Sequence, residues 1–557
     1  MASPGVHLKT DSMHSDRALL LVAIIPLAIY CLAHIGSLTS TYTINDDVRQ
    51  QIYWMQQYRD SSLFQDHLLS DYAKSYVPWG VQFLYWVAAS IMEPILFSKV
   101  LTAILFIAAS SLMYAIVHEV ADRRSGLMTL AIFFYFGNSL GSISGGLSRG
   151  FVFPLLLAYL YLLLRKKYSE AGLVLLAQSL VNPYLFLIGF FTHILAGFPT
   201  IKNRNPTVHY TGTAFFSRPY GNYVLSLIPA AIGLCLLIFR YTVAQSLEIG
   251  PVASLADMEG QPEFTALGRY EILPLRPLPY EFVRPFLKYP PFGFFSVLAT
   301  IIGVVLYCAL VIRGANRSMI PAALRRMNTL HYLLAASLVL YMLARIFLLQ
   351  LFLPERYLEY PLTIVYCIFL GLIGGAVLAR IPRIFFCLVL GVLLLCGAGR
   401  LHSIAISDYQ DQQSLYEFFE QSPTDTLIAG HPEVMDNVMT FARRKVFLSY
   451  ELSHPWYLQY WSTIKQRTND FFAAYYGDNP DKIISFCRNN GISYLVVRES
   501  DFAEESVYRQ GVYFEPFNSL IQTLYQNHRS FALLDTDIFK PVFRYGEYRI
   551  ISFRTDQ

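Results

Sequence analysis

Two adjacent acids, Asp46 and Asp47, are the most chemically pointed residues of this chain, in the run Thr43-Ile44-Asn45-Asp46-Asp47-Val48-Arg49. A carboxylate beside a cleft can take a proton from a hydroxyl or hold a metal ion. Asn45 is a good helix N-cap. After it, Val48, Ile52, Met55 and Arg59 recur at helical spacing, with Trp54 and Tyr58 beside them. This predicts an amphipathic helix suited to a membrane surface. The acids then sit at the positive end of its dipole, which favours their charged form. Neighbouring helical residues do not share a face, so only one of the two would point at a substrate. The alternative is that both are first-turn acids completing a cap.

Four cations are candidates to meet an anionic group. Arg356 lies in Leu353-Pro354-Glu355-Arg356-Tyr357-Leu358-Glu359-Tyr360-Pro361, between two apolar runs. A guanidinium there can bind phosphate through two parallel hydrogen bonds, or anchor the chain at an interface. Arg345 lies inside an apolar run, where an ionisable residue faces a cavity or protein interior. Arg149 follows Gly145-Gly146, glycines that allow close backbone approach; the stretch reads equally as a flexible connection. Lys74 meets a lipid phosphate or snorkels. Asp66 and Asp71 read as solvated loop acids, and His402, His431 and His454 as isolated structural histidines. The seven cysteines show no CxxC or Cys/His spacing, so neither a disulfide framework nor a zinc site is expected.

The elements that must position these residues are set by composition. Of 557 residues, 54% are hydrophobic and 15% charged, against a usual charged share of about 25%. A soluble fold so poor in charge could not cover its surface, and a disordered or coiled-coil chain is excluded likewise. A net charge of +4 is too weak and scattered to suggest nucleic acid. The expected class is an α-helical polytopic membrane protein with a soluble α/β domain at its C-terminus.

About eleven spans are expected, near 18–38, 95–117, 127–140, 150–164, 171–181, 184–198, 223–242, 294–313, 330–352, 360–380 and 382–400. Asn182-Pro183 separates the fifth and sixth, because proline breaks a helix and disfavours helix in the residue before it. Residues 77–91 would make a helix about 22 Å long, short of a ~30 Å hydrocarbon core, and are expected to lie in the outer leaflet.

This count puts five clusters of Arg and Lys on the side of the N-terminus, which the positive-inside rule makes cytoplasmic. Two outer loops, 39–94 and 243–293, follow on the other side. The first holds six acids and three bases, the second six and four. The expected organisation is a cytoplasmic segment 1–17, a membrane domain 18–400 and an extracytoplasmic α/β domain 401–557. Within that domain, helices are expected over 415–421 and 481–489, and strands over 426–429, 492–497 and 548–553.

The order of these features resembles a known family. A span is followed by an outer loop opening on an acidic pair, then by the aromatic segment Val77-Pro78-Trp79-Gly80 to Tyr85-Trp86. Many spans, a Pro-Glu-Arg-Tyr boundary and a C-terminal domain complete it. This looks like the GT-C superfamily of polytopic glycosyltransferases, including its protein mannosyltransferase-like and aminoarabinose transferase-like branches.

The resemblance implies a polyprenyl-phosphate sugar as donor, membrane lipid around it, and a glycan, lipid or protein as acceptor. Transfer would take place on the non-cytoplasmic side of a bacterial inner membrane; a direct displacement at the anomeric carbon would invert the sugar. It puts the base or metal-binding role on Asp46 or Asp47, and leaves open whether a divalent metal ion is the cofactor. Many relatives have Asp-Glu where this chain has Asp-Asp. A flippase or transporter for a lipid-linked saccharide, and a polysaccharide polymerase or ligase, are the competing readings.

Overall fold

The structure is a computed structural model that describes residues 15–202, 219–244, 249–288, 323, 326–528 and 530–554. The expected span 294–313 lies outside them. Each other expected span is helical over most of its length, since its apolar run leaves the backbone no better place for its polar groups, but 127–140 breaks after Tyr135 and the helix of 330–352 ends at Ile346. Among the described residues, five helices are long and apolar enough to cross a membrane: Pro94–Val120, Tyr220–Ala244, Asn328–Ile346, Arg356–Arg380 and Arg383–Leu401. Shorter apolar helices run over Val22–Ala33, Ser148–Leu164, Tyr168–Val181 and Pro183–Pro199. The chain is an integral membrane protein.

Pro94–Val120 is central, packed against the first helix and against Arg123–Tyr135 and Val152–Leu164. Arg123–Tyr135 also receives helix Arg356–Val377 at very short range. A Cβ on Gly371 would collide with Thr129, and one on Gly375 with Ser125. Small residues four apart on one helix face let two backbones meet in this way. The expected break at Asn182-Pro183 is present. Asn182 is extended, and its side-chain oxygen accepts the Leu185 N–H at 3.0 Å, capping the helix that follows.

Residues 79–89 form a helix of 11 residues, about 16 Å long. It exposes Phe83 and Trp86 and buries Val81 and Tyr85, the pattern of a helix bedded in an interface.

Past Leu401 the apolar runs stop. Strands β1 (Thr43–Ile44) and β2 (Ser407–Asp408) pair antiparallel and tie the first outer loop to the entry of the C-terminal region. Strands β3 (Leu427–Ala429), β4 (Lys445–Val446), β5 (Tyr494–Arg498), β6 (Phe543–Tyr545) and β7 (Tyr548–Ser552) form one sheet in the order β4-β3-β5-β7-β6. The β4-β3-β5 half is parallel and the β5-β7-β6 half antiparallel. Helices Gln413–Glu420, Leu458–Tyr475 and Pro480–Asn489 surround it. Leu458–Tyr475 is the longest helix of the region, and no expected element anticipates it.

The helix expected at the start of the first outer loop is different. It is a four-residue helix, Val48–Gln51, continued as a 3-10 helix over Tyr53–Tyr58. Asp47, not Asn45, is its N-cap. Val48, Ile52, Trp54 and Met55 are all buried, between helices Trp79–Ala89 and Pro94–Val120 and the C-terminal domain. Gln56 donates to the Thr440 carbonyl at 3.2 Å and Gln50 to the Glu451 carbonyl at 2.9 Å. Periodicity reports that a face is buried and is silent on what buries it.

Candidate active site

The turn that carries the two acids is built by Asn45. Its side-chain oxygen accepts the Asp47 N–H at 3.1 Å, an Asx turn, and its amide donates to the Ala405 carbonyl at 2.6 Å. The Asn45 oxygen also takes a hydrogen bond from Arg149 Nη2 at 3.2 Å, and Arg149 Nη1 pairs with Asp47 Oδ2. Arg149 reaches that far because Gly145 and Gly146 are left-handed, with φ of +88° and +60°. A Cβ on Gly145 would meet Asn45 at 2.9 Å, and one on Gly146 would meet the Ser98 carbonyl at 2.8 Å. The glycine pair is therefore a close fit between the Arg149 loop and its neighbours.

Asp47 and Arg149 open on a cavity of about 330 Å³. Arg356 lines the same cavity, at the first turn of its helix, with its guanidinium donating to the Tyr360 hydroxyl at 3.1 Å. Arg356 forms no salt bridge among the described residues, but Glu359 and Glu355 are near enough to act on its charge. Pro183 and Tyr184, at the start of the helix after the proline break, lie in the same wall. The positive end of that helix dipole favours negative charge there. Leu349 and Phe352 close another side, both left-handed at φ of +63° and +59°. Non-glycine residues in that region are strained, and here they turn the chain between two apolar helices.

The remaining wall comes from distant chain. Tyr270 belongs to the second outer loop, and Trp456 and Tyr457 to the C-terminal domain. A β-bridge joins Val252 to Tyr457, and the Ala253 N–H donates to the Trp456 carbonyl at 2.8 Å. None of Gln50, Tyr76, Tyr270, Trp456 and Tyr457 was a sequence candidate. Each is an aromatic or amide side chain with no motif around it, which is too common to single out.

Other candidates lie elsewhere. Asp46 pairs with Arg49 and accepts the Tyr409 hydroxyl at 2.7 Å. Burial pushes its carboxyl up, but Arg49, the Tyr409 hydrogen bond and Arg269 together hold it below the usual carboxylate range. Arg345 donates to the Arg276 carbonyl at 2.6 Å and to the Tyr341 hydroxyl at 2.9 Å, so it fastens the second outer loop to its helix. Lys74 stands 3.3 Å from Asp71, in a separate cavity of about 500 Å³. Asp66 borders neither cavity. His454 is buried, within 2.9 Å of Gln50 and 2.7 Å of the Tyr72 hydroxyl.

Among the described residues, those at the site are not grouped as a metal site. Asp46 and Asp47 each face a guanidinium, and among the described residues no three His, Cys, Asp or Glu are grouped to hold an ion.

Solved structures share this architecture. The aminoarabinose transferase ArnT from Cupriavidus metallidurans, in its apo state, superposes with a TM-score of 0.53 at 10% identity, covering 97% of this chain and 98% of ArnT. The fold is the GT-C fold. ArnT bound to undecaprenyl phosphate matches at 0.51 and 10% identity, over 97% of this chain and 99% of that one. An Archaeoglobus fulgidus oligosaccharyltransferase is a looser match at 0.47 and 12% identity, over 88% of this chain and 68% of that one. No family model and no curated protein sequence matches. At such identities the correspondence is one of GT-C architecture.

Proposed function

We propose that this chain is a membrane glycosyltransferase that moves a hexosyl or pentosyl group from a polyprenyl-phosphate donor to an acceptor hydroxyl. The observation that carries this reading is one cavity bordered by a carboxylate and two arginines at the ends of apolar helices. The GT-C fold and the undecaprenyl phosphate bound by ArnT support the donor class.

In this reading Asp47 is the general base. The acceptor O–H gives its proton to the Asp47 carboxylate as its oxygen bonds to the anomeric carbon. The bond from that carbon to the phosphate oxygen breaks, its electron pair goes to the phosphate, and polyprenyl phosphate leaves. Direct displacement inverts the anomeric centre. Arg356 neutralises the charge growing on the phosphate, and Arg149 orients Asp47. The cavity is expected on the non-cytoplasmic face of a bacterial inner membrane, with residues 401–557 on that side. The basic loops motivate the orientation, and a reporter fused after Arg400 reading as cytoplasmic would overturn it.

The test is turnover. Purified protein is incubated with undecaprenyl-phosphate-linked, radiolabelled hexoses or aminoarabinose and an extract of membrane lipids and glycans as acceptor, and transfer of label to the extract is measured together with release of undecaprenyl phosphate. Release that is lost in Asp47→Asn supports the reading. Movement of the intact donor across vesicles without release would replace it with a flippase.

A further inference from the structure

Glu451 stands outside the cavity, yet three segments converge on it. Its Oε1 accepts from Arg49 Nη2 at 3.5 Å, and its Oε2 lies 3.6 Å from Arg269 Nη2. Arg49 is two residues past Asp47 in the first outer loop. Arg269 precedes the cavity residue Tyr270 in the second. All three side chains are less than one-tenth exposed. Arg49 is held further by Asn437 Oδ1 at 2.8 Å, and Arg269 by the Tyr450 carbonyl at 3.2 Å and the Tyr450 ring at 4.0 Å. From Glu451 the chain runs on to His454, which meets Gln50, and to Trp456 in the cavity wall.

The four-residue helix after Asp47 is too short to fix its own orientation, because an isolated helical turn is unstable. Its direction must come from outside, and Arg49 and Gln50 on that turn both reach the segment 451–454. We infer that Glu451, acting through Arg49, is a positioning residue for the Asp47 carboxylate, which makes the C-terminal domain a working part of the active site. The inference rests on the assignment of Asp47 as base.

The experiment assays Glu451→Gln and Asp47→Asn side by side in the full-length protein. The readouts are turnover of an undecaprenyl-phosphate-linked sugar that supports activity and binding of undecaprenyl phosphate alone. Glu451→Gln should lower kcat about 10²-fold, the cost of a small misplacement of a reacting group. Carrier binding, which falls to Arg356, should be unchanged. Arg49→Lys should lower kcat too, and the double variant Arg49→Lys with Glu451→Gln should fall little further, because both changes break one linkage.

Wild-type kcat in Glu451→Gln beside an inactive Asp47→Asn would overturn the clasp alone. Equal loss of turnover and carrier binding would overturn it in favour of general unfolding. An active Asp47→Asn would instead overturn the base assignment on which it rests.

Discussion

The two adjacent acids separate once their partners are known. Asp47 reaches the cavity with one oxygen on Arg149, whereas Asp46 turns to Arg49 and Tyr409. Asp47→Asn keeps size and capping ability but removes the base, so the rate should fall ~10²–10⁴-fold. Asp46→Asn should cost far less in turnover. Its carboxylate does not border the cavity, its side chain is 53% exposed, and Asn still accepts from Tyr409. Steady-state turnover of both variants distinguishes them, and a dead Asp46→Asn beside an active Asp47→Asn would exchange the roles. Arg356→Lys should weaken binding of undecaprenyl phosphate, read by equilibrium binding, because a planar fork becomes a point charge. Unaltered binding would remove Arg356 from the phosphate site.

At the scale of elements, the cavity depends on turns that bring helix ends together. Gly146→Ala tests this. The new Cβ would meet Ser98 and Tyr85 within 3 Å, at a φ of +60°, and strain of this kind costs roughly 1–3 kcal/mol. Gly260 has a φ of +76° with nothing within 4 Å of an added Cβ. Gly260→Ala therefore carries the backbone cost alone, and thermal unfolding should show Gly146→Ala as the less stable of the two. Equal Tm values would mean that the Arg149 loop yields. The apolar helices, the Asn182-Pro183 break and the strand around Leu495–Val497 were legible because each rests on composition or local pattern. Asp47, Arg149 and Arg356 were legible as residue types in apolar surroundings, but their convergence was not. Asp47 and Arg149 are 102 positions apart, and no periodicity encodes such a meeting. The wall formed by Trp456 and Tyr457 was hidden for the same reason, and the burial of Trp54 looked like membrane contact because apolar protein and lipid leave one signature.

The whole molecule is held together at its centre by a charge cluster that should make its stability depend on pH. Asp436 and Glu451 come from the C-terminal domain, Arg49 and Asp46 from the first outer loop, and Arg269 from the second. The neighbouring titratable groups include Tyr270, Tyr409, Tyr450, Tyr513 and His454. Burial pushes the Asp436 carboxyl up to about 7 and, joined by repulsion from Asp436 and Asp46, the Glu451 carboxyl up to about 8. Two arginines face three acids, so the cluster is neutral when Asp436 and Glu451 share one proton, and the pair titrates as a unit. The unfolded chain releases these protons near pH 4. Between there and pH 8 the folded protein binds more protons than the unfolded one. Stability therefore falls as pH rises through that window, and the contribution of the pair is fully present only below the unfolded pKa. Thermal unfolding of the full-length protein in detergent should show a lower Tm at pH 8.5 than at pH 5.5. Asp436→Asn removes one of the two coupled acids and leaves Glu451 with Asp46 facing two arginines, which lowers the Glu451 pKa and flattens the decline. Parallel Tm profiles for the wild type and Asp436→Asn would show that the shared proton does not hold the C-terminal domain against the membrane helices.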